Sequence, residues 1–113
     1  MAMNFAPSDA PVVAGSVTVF HALGEPSRMT ILQHLLLGEH RVVELTAHLG
    51  LAQSTVSKHL ACLRDCGLVS VRPVGRASVY AVTQPDLVRD LLAVAERLHH
   101  ATGGDATAHR GDH

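Results

Sequence analysis

A mainly α-helical domain with one small β-hairpin is the fold class this sequence predicts, and three observations predict it. Five stretches read as helices, the central ones with apolar residues three and four apart. One later stretch switches to an interval of two, and glycine or proline stands at nearly every junction. With 113 residues the chain has room for one modest core. Apolar residues make up 47% of it, yet there is no Trp, one Tyr and two Phe, so Leu, Val and Ala must build that core. A small chain this aliphatic is expected to bury part of its surface against a second copy of itself.

Residues 1–10 are expected to be a disordered arm, residues 11–102 the folded domain, and residues 103–113 a flexible tail containing histidines. Pro11 opens a first helix that Gly24 stops. Pro26 takes a first helical position, where its missing N–H is no loss. A second helix then runs to Leu37, with Ile31, Leu32, Leu35 and Leu36 at helical spacing. Gly38 ends it. A short third helix covers about Val43–Leu49, with Val43, Leu45 and Leu49 expected inward and Gly50 as its stop. A tight turn leads into a fourth helix from Gln53 to about Cys66, closed by Gly67. The period then changes. Val69 and Val71 alternate with Ser70 and Arg72, and Val79 and Ala81 with Tyr80 and Val82. Pro73, Gly75 and Arg76 lie between them, which predicts a hairpin with a flexible basic tip. Pro85 opens a fifth helix to about His100, and Gly103-Gly104 ends it.

Helix, helix, tight turn, helix and hairpin is the order of a winged helix-turn-helix. The fourth helix carries the specific signal. At about 100° per residue, Val56, Leu60 and Leu63 cluster into one core stripe. Ser54, Ser57, Lys58, Ala61 and Arg64 face the other way. Short hydroxyl and amide side chains let a helix enter a major groove while offering donors and acceptors to base edges. Gln53, Ser54, Thr55, Ser57, Lys58 and Arg64 are therefore expected to meet double-stranded DNA. Arg72 and Arg76 of the hairpin are expected to meet phosphate or minor groove. Charge agrees. Residues 53–82 carry Lys58, Arg64, Arg72 and Arg76 against Asp65 alone, whereas the segments on either side are each net acidic.

Three stretches together resemble the ArsR/SmtB family of bacterial metal-responsive repressors. They are LGEPSRMTILQHL (Leu23–Leu35), VVELTAHLGLAQSTVSKHLACLRDCGLV (Val42–Val69) and VGRASVYAV (Val74–Val82). The resemblance implies a homodimer joined through its first and fifth helices, bound to a palindromic operator and usually released by its effector. Ala52 departs from the family pattern, which often has Ser or Thr there to cap the recognition helix. The cap is expected to pass to Ser54, or the helix start to fray.

Three constellations are candidate effector sites. Cys62 and Cys66 stand one turn apart with His59 three residues before Cys62, and thiolates at that spacing can share one tetrahedral ion. The segment HLACLRDCGLV resembles the cysteine pair of the cadmium- and lead-sensing CmtR branch. That branch needs a third thiolate from the C-terminal region, where this chain has only histidines. On the fifth helix, family members that sense zinc, cobalt or nickel carry four ligands. The positions matched here are Gln84, Asp86, Arg97 and His100. Asp86 and His100 stand about 21 Å apart along one helix, so they could share an ion only across a dimer. The third candidate is the histidine-rich end, with His99, His100, His109 and His113 beside Asp105 and Asp112, which suits nickel, zinc or cobalt. Nickel or zinc fits the histidine excess best, with cadmium or lead behind. His21, His34, His40 and His48 look scattered, as surface or satisfied core residues.

Other classes are narrower. The cysteines could make a thiol-redox-responsive repressor, though a bond between residues four apart strains an intact helix. A winged helix that binds only protein, or one that works with an additional effector protein, stays open. An enzyme is disfavoured: there is no Gly-rich phosphate loop, no Cys–His pairing in a cleft, and no room for a substrate pocket beside five helices. The opening MAMNFAPSDA lacks a basic, then apolar, secretory pattern, and Val12–Leu23 is too short and polar to span a bilayer. A cytoplasmic protein without membrane association, its two thiols kept reduced, is expected.

Overall fold

The computed structural model describes residues 10–103. Residues 1–9 of the expected arm, and the tail calls Asp105, His109, Asp112 and His113, lie outside them, whereas Ala10 opens the first helix. The elements follow in the order α1 (Ala10–Leu23), α2 (Pro26–Leu37), β1 (His40–Arg41), α3 (Val42–Leu49), α4 (Gln53–Asp65), β2 (Val69–Val74), β3 (Ala77–Val82) and α5 (Pro85–Ala101). They form two units, divided between Thr83 and Gln84.

In the first unit, the junction of α1 and α2 is held by a small polar clamp. Pro26 stands at the helix start and Glu25 is the N-cap, its carboxylate accepting the Arg28 N–H at 2.7 Å. The Arg28 guanidinium turns back and donates to the carbonyls of Ala22, at 2.8 Å, and His21, at 3.1 Å. These are last-turn acceptors of α1 that have no partner within the helix. The clamp sets the angle at which α1 meets α2.

The core gathers Ile31, Leu32 and Leu35 of α2, Leu45 of α3, Val56, Leu60 and Leu63 of α4, and Val69 and Val79 of the sheet, with Ala22 and Leu23 closing one side. No polar or charged side chain is buried among the described residues. One expectation is corrected here. Val43 is 60% exposed, and α3 turns Val42, Leu45 and Leu49 inward instead. The helix begins one residue earlier than expected, capped through Glu44, whose carboxylate accepts the Arg41 N–H at 2.8 Å. Gly50 ends α3 in the left-handed conformation at φ 69°, donating to Thr46 O at 2.9 Å, and so makes the turn before α4 tight.

The sheet has three antiparallel strands in the order β1-β3-β2. Its hairpin is longer than expected. Pro73 and Val74 belong to β2, Val74 pairs with Ala77, and the turn shrinks to Gly75 and Arg76. Only Gly75 of the two has positive φ, at 61°, which is the II′ pattern whose twist suits a two-residue hairpin. Pro73 is tolerated because β2 is an edge strand. At the base of the hairpin, the Thr83 hydroxyl donates to Gly67 O at 2.6 Å.

The second unit is α5, opened by Pro85 with Asp86 in its first turn. Leu87, Val94 and Leu98 are exposed on it, and with Leu91 they recur at the spacing of one helical stripe. No helix among the described residues is long and apolar enough to cross a membrane.

Leu60, fully buried at the centre of α4, sets a direct test. Leu60→Ala should lower stability by about 2–5 kcal/mol, whereas Ser57→Ala on the exposed face should stay within about 0.5 kcal/mol. Urea unfolding followed by circular dichroism measures both.

Candidate nucleic-acid interface and thiol cavity

Burial of Val56, Leu60 and Leu63 fixes the rotation of α4 about its axis, and every other side chain on it follows. Gln53, Ser54, Ser57, Lys58 and Arg64 are exposed. Thr55 is half-buried, and at about 100° per residue it lies about 160° around the helix from Ser57, away from the polar face. The helix starts without a side-chain cap: Ala52 is the N-cap and supplies only its carbonyl, to Thr55 N and Val56 N at 3.0 Å each. Ser54 does not replace the missing cap.

The basic residues divide into engaged and unengaged. One terminal nitrogen of Arg72 donates to both carboxylate oxygens of Glu39, at 2.7 and 2.8 Å. Both side chains are about half exposed, so water screens the pair and it contributes at most about 1 kcal/mol. Lys58, Arg64 and Arg76 have no carboxylate within ion-pair distance among the described residues. Arg76, at the hairpin tip, lines a cavity of about 280 Å³ together with Gln53 of α4 and Arg41 at the start of α3. Two guanidinium groups thus border the first residue of α4. Arg41 was not among the sequence candidates. Its only signal there was a lone basic residue before a helix, which is usually a solvated charge. Its backbone N–H, ahead of its own charge and that of His40, holds the Glu44 carboxyl below the usual range.

On the adjacent flank of α4 lies a cavity of about 550 Å³ between this helix and α1. Cys62 and Cys66 both line it, with Lys58, Ala61 and Asp65 from their own segment and Val17, Thr18, His21 and Ala22 from α1. Both thiols are free and half-buried. Cys66 is the C-cap of α4 rather than part of it, and its thiol donates to Leu63 O at 3.4 Å. His59, grouped with these cysteines by spacing, turns elsewhere: its Nε2 is 3.9 Å from Glu25 Oε1, beside the α2 cap. His21, which spacing did not single out, is the imidazole the fold brings to the thiols. Two thiols, an imidazole and a carboxylate are a donor set that fits a soft or borderline ion.

The fifth-helix candidates have neighbours on α5 itself. Asp86 lies 3.4 Å from Arg89, and His100 lies 3.8 Å from Glu96 with its ring 5.7 Å from that of His99. Among the described residues no three His, Cys, Asp or Glu side chains already converge on one ion position.

Comparison with known proteins bears on this geometry. The signature described as bacterial regulatory protein, arsR family, matches residues 25–71. A probable mercury resistance operon repressor from Streptomyces lividans is 39% identical over 100 residues, covering 87% of this chain and 79% of that one. The chain belongs to the arsR family. It is accordingly a DNA-binding transcriptional regulator and not an enzyme. A second relative, the regulator CmtR of Mycobacterium tuberculosis, is 49% identical over 70 residues, 62% of this chain, and this arsR-family chain spans only 59% of its length. Among solved structures, a homodimeric winged helix-turn-helix DNA-binding domain from Mycobacterium bovis superposes with a TM-score of 0.72 at 26% identity, covering 88% of this chain and 95% of that one. Rv0081 of Mycobacterium tuberculosis gives 0.71 at 31% identity, over 91% and 99%. The arsR-family architecture makes α3 and α4 the helix-turn-helix, with α4 the recognition helix and β2–β3 the wing.

One titratable group predicts a pH dependence. Burial, then the neighbouring imidazoles of His48 and His40, lowers the pKa of His34 below 6.5. The folded chain therefore takes up this proton less readily than the unfolded chain. Its stabilising contribution is complete above pH 6.5 and is lost as pH falls through the lowered value. Urea midpoints of metal-free protein should fall between pH 7.5 and pH 5, and His34→Gln should flatten that slope.

Proposed function

We propose that the chain is a metal-responsive transcriptional repressor that binds a palindromic operator as a homodimer, its DNA affinity set by an ion held at Cys62 and Cys66. One observation carries this: both thiols, with His21, line a single cavity on the flank of the same helix whose exposed face presents Gln53, Ser54 and Ser57. Sensor and reader are two sides of one rigid rod. A thiolate-rich set favours cadmium, lead or mercury over nickel or zinc, which the histidine excess had suggested. The name of the mercury-resistance relative supports that direction.

The homodimer is supported by the homodimeric neighbour and by exposed apolar residues, Val17 and Phe20 on α1 and Leu87, Val94 and Leu98 on α5. Two such faces, left in water, are large for a monomer of this size. A two-fold dimer places two copies of α4 in successive major grooves about 34–36 Å apart, which is why the operator should be an imperfect palindrome. Gln53, Ser54 and Ser57 read base edges; Lys58, Arg64 and Arg76 hold phosphates. Arg72 joins them only by exchanging Glu39 for phosphate. Thr55, off the polar face, supports the helix rather than reading bases.

The cavity residues act through α4. When bound, the ion supplies strong bonds to two sulfurs at the C-terminal end of that helix. A coupling of about 1–3 kcal/mol between the sites would change DNA affinity about 5- to 150-fold.

Fluorescence anisotropy with the chain's own upstream DNA, titrated with cadmium, lead, mercury, nickel and zinc, tests the assignment. Wild type should lose DNA affinity with a thiophilic ion, and a Cys62→Ser, Cys66→Ser variant should not. An equal response of that variant to nickel or zinc would move the sensor away from the two thiols. A response to peroxide without metal would make the pair a redox sensor. In the same assay Lys58→Ala and Arg76→Ala should weaken binding to all sequences and reduce the salt slope by about 1 each, while Gln53→Ala relaxes base preference. Sedimentation of Leu98→Glu should show a shift from dimer to monomer.

A further inference from the structure

We propose that His34, His40 and His48 form a second transition-metal site, inside the helix-turn-helix itself, for an ion of the zinc, nickel, cobalt or copper class. The three residues come from α2, β1 and α3. In sequence they are scattered; in the fold they are neighbours. The rings of His34 and His48 lie 5.3 Å apart between centroids and nearly parallel, at 15°. Those of His40 and His48 lie 5.8 Å apart and almost perpendicular, at 83°.

These spacings lie in the ordinary range for packed rings, and they are also within reach of shared ligation. A ring nitrogen binds zinc at about 2.0–2.1 Å, which puts the ring centre about 3.2 Å from the ion. Two imidazoles on a tetrahedral ion therefore have centres about 5.2 Å apart. The observed separations sit at that value and slightly above it. As the three rings stand, no group of three such side chains among the described residues is placed to hold an ion. Binding therefore requires the imidazoles to turn, and His48 is exposed.

His40 carries an independent mark. Its Nδ1 lies 2.7 Å from the carbonyl oxygen of Gly38. A carbonyl only accepts, so Nδ1 carries the proton and donates, and the Nε2 lone pair is left available. Histidines that bind metals are commonly held this way by a backbone carbonyl, which fixes tautomer and ring plane. The donors are all imidazoles, so the site selects borderline ions, in contrast to the softer ions suited to the thiol cavity. An ion here would tie α3 to α2 and to the short strand β1. Because α4 packs on α3, the ion would stiffen the support of the recognition helix.

The test uses the full chain carrying Cys62→Ser and Cys66→Ser, so that the thiol site is silent and its own fate is judged separately. Zinc affinity is measured by competition with a chromophoric chelator. The parent should bind zinc, and His34→Gln, His40→Gln and His48→Gln should each weaken binding at least about tenfold. His109→Gln should leave it unchanged. Thermal unfolding without metal checks that each variant is folded. In histidine-selective NMR of the parent, one equivalent of zinc should shift the ring signals of His34, His40 and His48. Unchanged affinity and stoichiometry in all three variants, no zinc binding by the parent, or shifts confined to His99, His100 and the tail would overturn the proposal.

Discussion

The docking of Val56, Leu60 and Leu63 into the core is the constraint on which the rest depends. All three are completely buried, so α4 cannot rotate about its axis without exposing branched aliphatic surface to water. That burial is worth roughly 1.5–3 kcal/mol per side chain. One apolar stripe therefore allots the remaining circumference. The polar face bearing Gln53 and Ser57 points outward, and the cysteines come to rest on the flank toward α1. The exposed polar side chains of α4 are thus placed by side chains that the core hides.

The wing obeys a similar economy. Its turn has only Gly75 and Arg76, and the positive φ of the glycine lets β2 and β3 pair up to Val74 and Ala77. A longer, looser tip would have spread Arg76 over many positions. As built, the tight turn fixes the backbone from which Arg76 reaches the cavity it lines with Arg41 and Gln53, and less backbone entropy is lost when it meets a partner.

Much of this was legible in the residues, and what was not has physical reasons. Helices α2 and α4, and the hairpin, announced themselves because a half-buried element must repeat its apolar residues with its own period. Strand β1 did not, since two residues, His40 and Arg41, carry no period. Val43 misled because α3 is eight residues long, too short for the spacing of its apolar residues to settle which ones face inward. The candidate site was read in its parts rather than in its grouping. Spacing joined His59 to the cysteines, but the chain folds Glu25 against that imidazole instead. Arg72 was assigned by position on the wing, whereas Glu39, 33 residues earlier, holds it. The histidine cluster was invisible for the same reason: partners distant in sequence are chosen by topology.

Cys66 closes α4 and Gln53 opens it, and that placement has a mechanical consequence. The two are separated by thirteen residue rises, about 20 Å of stiff helix. A pivot of only about 5° at the cysteine end sweeps the glutamine end through about 1.7 Å. Hydrogen bonds tolerate only a few tenths of an ångström before they fail. On the proposed reading the recognition helix is thus a lever arm, long enough to turn a bond-length adjustment at one end into a lost base contact at the other.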